Sequence, residues 1–307
     1  MTMFDHSSFS RREHPVKRSR LARGLFVLLF IVSACGGSSH VPSPPVAYST
    51  PVPSTIIVGE AYRSLPGSFL GFSIELSDLC TVLDLDAADR QTYEQLYTDL
   101  GRGILRIGGN SADLSTWSSS GAYMCSNSQT VITPALVTSL FAFATRIHWR
   151  VIWTLPLLKY NPTNAAREAA GTARVGGTAL LGFAIGNEPE LYSKKSAPYS
   201  ASWNPSTFLS RWETEYRAVK VAVPGISISG PDASSIDTFF SSFAQQTGTA
   251  HQVALLTGHY YTRPARDDHP ASIEELLSTG TFDKFTSDIA RWTQAAGSAG
   301  LPFALTE

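Results

Sequence analysis

The stretch LLGFAI, Leu180–Ile185, followed by GNEP, Gly186–Pro189, carries the pattern that determines the fold of this chain. Six mostly apolar residues in a row are typical of a strand that is buried on both faces, as in a parallel sheet. The polar residues Asn187 and Glu188 follow where that strand ends. Because parallel strands are joined by long crossovers, usually helices, we expect helical segments on both sides of this strand.

Short apolar runs do alternate with amphipathic segments along the chain from residue 68 to residue 307. Continuous alternation of this kind predicts an α/β fold with a parallel sheet. The predicted strands are Ser68–Leu76, Gly103–Gly109, Arg150–Leu157, Leu180–Asn187, Ile226–Asp232, Val253–Tyr261 and Leu301–Glu307. The predicted helices are Gln91–Leu100, Pro134–Ile147, Asn164–Arg174, Ser206–Val223, Ile236–Gln246, Ile273–Leu277 and Phe282–Ala296.

Two parallel folds fit this alternation, a doubly wound sheet and an eight-stranded barrel. No Gly-rich phosphate loop follows the first predicted strand, and the glycines of Gly101–Gly109, GRGILRIGG, do not match the dinucleotide fingerprint. A barrel with an attached segment also suits a chain of 307 residues. We therefore predict a (β/α)8 TIM barrel that is incomplete, with about seven strands.

The first residues of the chain predict export. Six Lys and Arg residues precede the apolar run Leu25–Val32, and Ser33 and Ala34 then lead to Cys35. This order is typical of a secretory signal, and the run is too short to span a bilayer. VSAC resembles the bacterial lipobox, so we expect lipidation of Cys35 and a lipoprotein of the bacterial cell envelope, periplasmic or on the cell surface. The alternative is ordinary secretion with an incidental cysteine.

The chain accordingly divides into four predicted parts. Pro, Ser and Gly dominate the segment that follows Cys35, which is typical of a tether between an anchor and a domain. The parts are a lipoprotein-type signal peptide, residues 1–34; the tether, residues 35–54; an N-terminal strand segment, residues 55–67; and the incomplete barrel domain, residues 68–307.

Charge and cysteine content restrict the classes of partner. Without residues 1–34 the chain carries 18 Lys and Arg and 23 Asp and Glu, a net charge of −5, which disfavours nucleic acid as a partner. Cys80 and Cys125 remain after Cys35, and two cysteines of an exported protein predict a disulfide. Neither these cysteines nor the histidines show metal-ligand spacing, so we expect no metal and no cofactor.

Candidate site residues are the polar residues where the predicted strands end, because barrel enzymes take their catalytic groups from the C-terminal ends of strands. Two carboxylates that face each other across a barrel mouth suit glycoside hydrolysis. One protonates the leaving oxygen while the other attacks the anomeric carbon or activates water. The candidates are Glu75, Asn110, Asp113, Asn187, Glu188, Asp232, His259, Tyr261 and Glu307.

The GNEP motif, at the end of the fourth predicted strand, resembles the acid/base motif of a large clan of retaining glycosidases built on (β/α)8 barrels. A wider set of motifs resembles glycoside hydrolase family 79, the β-glucuronidase and heparanase family, over about residues 55–307. These motifs are GFSIEL (71–76), LRIGGNSAD (105–113), GNEPELY (186–192), SGPD (229–232) and GHYY (258–261).

The resemblance implies a role for each matching residue. Glu188 is the implied acid/base, and Glu307, at the end of the seventh predicted strand, is the implied nucleophile. Asn187 would hold the sugar 2-hydroxyl, and Tyr261 would hydrogen-bond the nucleophile. The further candidates for substrate contacts are Glu75, Asn110, Asp113 and His259. Outside this resemblance, Asp232 and His259 are also typical hydrogen-bond partners at a barrel rim.

The mechanism implied is a retaining one, with carboxyl groups ~5 Å apart and a covalent glycosyl-enzyme. We expect the pKa of Glu188 to be raised in the resting enzyme, as for a general acid. The implied substrate is a β-glucuronide cleaved in exo fashion. The alternatives are a clan glycosidase acting on neutral sugars and a surface lipoprotein that binds carbohydrate without cutting it.

Family 79 enzymes continue beyond the nucleophile into an eighth strand and a C-terminal β-sandwich. The present sequence contains neither after Glu307. We therefore expect this chain to be a fragment of a longer enzyme and to be inactive by itself.

Overall fold

The computed structural model describes residues 69–195, 202–262 and 271–307. The predicted signal peptide, the tether, Cys35 and the strand segment 55–67 lie outside the described residues. Within the described ranges, no helix has both the length and the apolar character needed to cross a membrane.

A seven-stranded, fully parallel sheet forms the centre of the described domain and confirms the predicted incomplete (β/α)8 barrel. Its seven strands are arranged in chain order, so each pairs with the next strand of this sheet, as in a barrel. The strands are β1 (Gly71–Glu75), β2 (Ile104–Gly108), β5 (Arg150–Leu155), β6 (Leu180–Ile185), β7 (Ile228–Ala233), β8 (Leu255–Gly258) and β9 (Phe303–Leu305).

Helices connect the strands and cover the sheet. Trp153 on the sheet and Trp212 on a helix are completely buried, and they belong to one continuous apolar core with the inner faces of the helices. The helices are α1 (Leu79–Leu83), α2 (Ala87–Asp99), α3 (Pro134–Arg146), α4 (Pro162–Gly176), α5 (Tyr192–Lys195), α6 (Pro205–Ala222), α7 (Thr238–Thr249), α8 (Ile273–Leu276) and α9 (Thr279–Ser298).

Three of the long helices begin with the same local signal, a Thr or Asn followed by proline. The side chains of Thr133, Asn161 and Asn204 accept hydrogen bonds from N–H groups in the first turns of α3, α4 and α6. Proline suits the first helical position, because its missing N–H would have no helical partner there. These caps determine where each helix begins.

The element boundaries differ from the prediction mainly at strand ends. The strand predicted over Val253–Tyr261 is shorter, Leu255–Gly258, although the N–H groups of His259 and Tyr260 still donate to neighbouring backbone carbonyls beyond its end. A second, two-stranded sheet, formed by β3 (Thr116–Trp117) and β4 (Val131–Ile132), was not predicted. Strands of two residues are too short to show a period in the sequence.

Cys80 and Cys125 form a disulfide in this structure, with Cα atoms 5.9 Å apart. The bond joins α1, which follows β1, to the loop between β3 and β4. Ser77 and Asn127 also hydrogen-bond to each other, with 2.5 Å between their side-chain oxygens. Both links therefore connect loops on the side of the sheet where the strands end.

Helix α4 carries a carboxyl group that is completely buried. Glu168 is 0% exposed and accepts a hydrogen bond of 2.8 Å from the indole Nε1 of Trp153. Burial raises the pKa of Glu168 to about 8, against 4.5 for an ordinary glutamate. This side chain is therefore neutral in the folded protein at neutral pH.

This buried carboxyl predicts a loss of stability in alkali. Folding takes up a proton between about pH 4.5 and about pH 8, so the stability due to neutral Glu168 is complete below about pH 4.5 and is lost as the pH rises through about 8. Glu168→Gln keeps a neutral group there. Thermal melts should find this variant close to the wild-type chain at pH 5 and several degrees more stable at pH 8.5.

A matched control is Glu213→Gln, on the neighbouring helix α6, where Glu213 makes a surface ion pair with Arg217. We expect this variant to lose stability between pH 5 and pH 8.5 as the wild-type chain does. The explanation is wrong if Glu168→Gln loses as much stability over that range as the wild-type chain.

Candidate active site

The strands end at one rim of the sheet, and a cluster of polar side chains lies there. The cluster is formed by residues of β2 and β7 and by residues that follow β6, β8 and β9. Its members that touch one another are Arg106, Asn187, Glu188, Asp232, His259, Tyr261 and Glu307.

Glu188 is presented by a tight turn directly after β6. Gly186 and Glu188 both have left-handed backbone conformations, with φ of 84° and 51°. A Cβ at Gly186 would lie 2.8 Å from the Tyr192 hydroxyl, so glycine is required there. The Glu188 N–H donates to the Asp232 carbonyl at 2.9 Å. For a non-glycine residue this conformation costs about 1–3 kcal/mol and is found mostly at functional sites.

The Glu188 carboxylate has a cationic partner at one oxygen and an imidazole at the other. Lys195 Nζ lies 3.1 Å from Oε2, and His259 Nδ1 lies 3.2 Å from Oε1. Burial raises the pKa of Glu188, but the bonds from His259 and the charge of Lys195 outweigh it, so that the pKa is lowered overall. The expectation of a raised resting pKa was therefore wrong, because the sequence shows neither the hydrogen bond between His259 and Glu188 nor the approach of Lys195.

Glu307, which follows β9, is held by three side chains. Arg106 donates to its Oε1, the Tyr261 hydroxyl donates to its Oε2, and His259 Nδ1 lies 3.6 Å from Oε2. Burial and the bond to Glu307 raise the pKa of Tyr261, so the phenol keeps its proton as the donor. The structure thus brings Tyr261 together with Glu307, the pair that the resemblance implied.

The two carboxylates lie close together. One oxygen of Glu188, one oxygen of Glu307 and one ring nitrogen of His259 all lie within 4.8 Å of one another. This matches the roughly 5 Å that separates the carboxyl groups of retaining glycosidases and is shorter than the ~6.5–9.5 Å of inverting ones. Arg106 and Lys195 already supply two positive charges to these carboxylates, which disfavours a metal ion between them, and we assign no metal or cofactor site here.

Arg106, like Lys195, is a site residue that the sequence analysis did not identify. Its side chain, 3% exposed, points from β2 into the cluster and donates to Glu307, to Asn187 Oδ1 at 2.7 Å and to Asp232 Oδ2 at 2.8 Å. Burial raises the pKa of Asp232, but the Arg106 charge outweighs it and the pKa is lowered. The sequence did contain one sign of this role, since Arg106 is a charged residue inside the otherwise apolar strand ILRIG.

Asn187 is fixed by bonds from several directions. Its Oδ1 accepts from Arg106, its Nδ2 donates to Asn110 Oδ1 at 3.3 Å, and its backbone N–H donates to Asp113 Oδ2 at 3.2 Å. The side chain is therefore held in one orientation beside the two carboxylates. Asn110 also accepts from Lys195 Nζ at 2.5 Å and lies at the exposed edge of the site.

Asp113 and Glu75, both predicted as substrate contacts, bind protein groups in this structure. Asp113 is completely buried behind Asn187, accepts from Tyr192 Oη at 2.7 Å and has a pKa raised by burial to about 6. Glu75 accepts from the N–H groups of Asn110 at 3.2 Å and Ser111 at 2.6 Å. Asp113 has no exposed surface for a substrate, so we correct its assignment; Glu75 is partly exposed, and its contact with substrate stays a prediction.

His259 and Asp232 complete the floor of the site. His259 is 2% exposed, and its Nδ1 lies between the two carboxylates. Asp232 is completely buried and accepts from Arg106 and from Thr306 Oγ1 at 2.8 Å. His259 thus contacts both carboxylates directly, whereas the Asp232 side chain acts through Arg106, which donates to Glu307. The arrangement can perform acid/base and nucleophilic chemistry on one bond that lies between Glu188 and Glu307.

Comparisons with known proteins agree with this architecture. No protein-family model matches the chain, and no curated protein does. Among solved structures, a 4-O-α-L-rhamnosyl-β-D-glucuronidase from Fusarium oxysporum 12S is 20% identical, with a TM-score of 0.63 over 79% of this chain and 54% of that one. A family 51 α-L-arabinofuranosidase from Bifidobacterium longum is 16% identical, with a TM-score of 0.50 over 78% of this chain and 55% of that one.

The chain thus spans about half the length of these two solved structures. At such low identity the likeness concerns the fold alone. The described domain accordingly has the barrel fold of the matched parts of two glycoside hydrolases.

Proposed function

We propose that this chain carries the active site of a retaining glycoside hydrolase, with Glu188 as acid/base and Glu307 as nucleophile. The observation that carries the proposal is the carboxylate pair, whose nearest oxygens lie within 4.8 Å at the ends of the fourth and seventh strands of a barrel sheet. The barrel fold shared with two glycoside hydrolases supports it.

In the first step Glu307 attacks the anomeric carbon of the bound sugar. Arg106 and Tyr261 donate to its carboxylate and orient it for this attack. The bond between the anomeric carbon and the leaving oxygen breaks as Glu188 gives that oxygen its proton. The products are a free alcohol, a glycosyl ester on Glu307 and an ionised Glu188.

In the second step Glu188 acts as a base. It takes a proton from a water molecule, whose oxygen attacks the anomeric carbon and displaces the Glu307 carboxylate. Both residues then return to their starting protonation states. His259 Nδ1 lies 3.2 Å from Glu188 and 3.6 Å from Glu307, where it can stabilise either carboxylate when it is ionised. Two displacements at one carbon retain its configuration.

The finer assignment is an exo-acting β-glucuronidase of the family 79 type. It rests on the five motifs that match this family in order and spacing. It is also supported by the fold shared with a rhamnosyl-glucuronidase, a protein whose crystals contained Rha-GlcA. A barrel glycosidase acting on neutral sugars is the second candidate, since the Asn-Glu pair is typical of the whole clan and does not distinguish glucuronidases from enzymes acting on neutral sugars.

The test is hydrolysis of 4-nitrophenyl β-D-glucuronide, glucoside and galactoside by the full-length product of the gene. We expect the glucuronide to be hydrolysed fastest, and NMR to detect the β-anomer of glucuronic acid before the α-anomer. The α-anomer first would contradict retention, and a faster neutral sugar would favour the second candidate. Binding without turnover, unchanged by Glu188→Gln, would indicate a carbohydrate-binding protein instead.

A further inference from the structure

Lys195 has a position that the mechanism above does not use. It is the last residue of α5, and its side chain, 22% exposed, reaches back to the Glu188 carboxylate. Its Nζ lies 3.1 Å from Glu188 Oε2, 2.5 Å from Asn110 Oδ1 and 3.5 Å from the Asn187 carbonyl oxygen. All three groups are oxygen acceptors, so the ammonium group sits in a pocket suited to a cation.

This contact conflicts with the role proposed for Glu188. A general acid must hold a proton when the substrate is bound, whereas an ammonium group at 3.1 Å favours the ionised carboxylate. The other titratable groups near Glu188 are His259 at 3.2 Å, Glu307 within 4.8 Å, Tyr261, and the Arg106–Asp232 pair. Lys195 differs from these groups because its side chain is long, flexible and 22% exposed. It is therefore the partner of Glu188 that can leave.

The two oxygens of Glu188 point to different sides of the site. Oε1 faces His259, which also approaches Glu307, and Oε2 faces Lys195. The nucleophile lies under the sugar ring, so the side of Glu188 away from Glu307 is the side of the leaving group. An anionic substituent on the leaving group would therefore come within reach of the Lys195 ammonium group.

We propose that Lys195 makes the site selective for substrates whose leaving group is anionic, because such a group draws Lys195 off Glu188 and lets Glu188 keep the proton it must donate. The proposal rests on the retaining glycosidase function. Lys195 is thus a specificity-determining residue that couples recognition of the substrate to the protonation of the acid. A neutral leaving group leaves the ion pair intact and is cleaved more slowly.

The experiment compares two β-D-glucuronides that differ in one charge, those of 3-hydroxybenzoate and of its methyl ester. For the full-length gene product we expect kcat/KM to favour the carboxylate by about tenfold, the size of one charge-assisted hydrogen bond. In Lys195→Gln the preference should disappear. In Lys194→Gln, a change at the exposed neighbouring lysine, it should persist.

A pH profile separates this coupling from a structural role. In Lys195→Gln the descending limb of kcat/KM on the methyl ester should move to higher pH, because Glu188 then keeps its proton longer. Equal preference for the carboxylate in the wild-type and Lys195→Gln proteins, at similar melting temperatures, would overturn the proposal. A descending limb of kcat/KM at the same pH in the wild-type and Lys195→Gln proteins would also overturn it.

The two proposals fail in different ways. Absence of hydrolysis of either glucuronide would refute the β-glucuronidase assignment. Carbon-13 NMR titration of the Glu188 carboxyl, assigned with Glu188→Gln, would then still report on Lys195. We expect Glu188 to titrate at higher pH in Lys195→Gln than in Lys194→Gln, and identical titrations would show that Lys195 does not control its proton.

Discussion

Glu188→Gln is expected to lower kcat/KM by about 10²–10⁴-fold on β-glucuronides with poor leaving groups, because the amide has no proton to give to the leaving oxygen. With an activated leaving group such as 2,4-dinitrophenolate, glycosylation needs little acid assistance and should be nearly unaffected. Azide, which needs no base, should then restore turnover by displacing Glu307 from the glycosyl ester. Steady-state kinetics with the two classes of substrate measure this difference.

The matched control for this prediction is Glu190→Gln, two residues along the same loop. Glu190 accepts hydrogen bonds from Ser234, from the N–H at 2.5 Å and from Oγ at 2.7 Å, and it makes no contact with the carboxylate pair. We expect nearly wild-type rates from it on both classes of substrate. An equal loss in both variants, or a loss in Glu188→Gln that does not depend on the leaving group, would contradict the acid/base role of Glu188.

Arg106→Met is expected to destabilise the fold by about 3–5 kcal/mol, because it leaves the Asp232 carboxylate buried without its counter-charge. For a domain of this size the melting temperature should fall by roughly 10 °C. Hydrolysis should also fall, since Glu307 loses a donor that orients it. Thermal melts and kinetics on the same preparations measure both effects.

Two further variants test the cause of this loss. Arg150→Met removes an exposed arginine from the start of β5 and should melt close to the wild-type protein. Arg106→Met combined with Asp232→Asn removes both buried charges and should recover part of the stability. If Arg106→Met melts like Arg150→Met, the buried pair does not stabilise the barrel.

The fold was predictable because its signals are local. Seven apolar runs separated by amphipathic segments predict a parallel barrel sheet, and all seven appear as neighbouring strands in chain order. The position of Glu188 and Glu307 at the rim was predictable because they stand at the ends of the fourth and seventh predicted strands. The strand lengths were less predictable, since the sequence at His259–Tyr261 does not show that the ladder of β8 and β9 ends at Gly258.

The inner part of the site was less predictable because it depends on contacts between distant residues. Arg106 reaches Asn187, Asp232 and Glu307, which lie between 81 and 201 positions away in the sequence. Lys195 lies seven residues after Glu188, yet its contact requires the turn through Pro189 and the short helix α5. These two cations determine the electrostatics of the carboxylates, and the motif residues alone could not show it.

The most direct measurement is to incubate the full-length gene product with 2-deoxy-2-fluoro-β-D-glucuronyl fluoride and to identify the labelled peptide by mass spectrometry. Fluoride leaves without acid assistance, and the 2-fluoro group slows hydrolysis of the glycosyl ester. We predict one 2-fluoroglucuronyl group per chain, bound to Glu307, and no label on Glu307→Gln. A label on Glu188, or turnover of the reagent with no label on Glu307, would contradict the account.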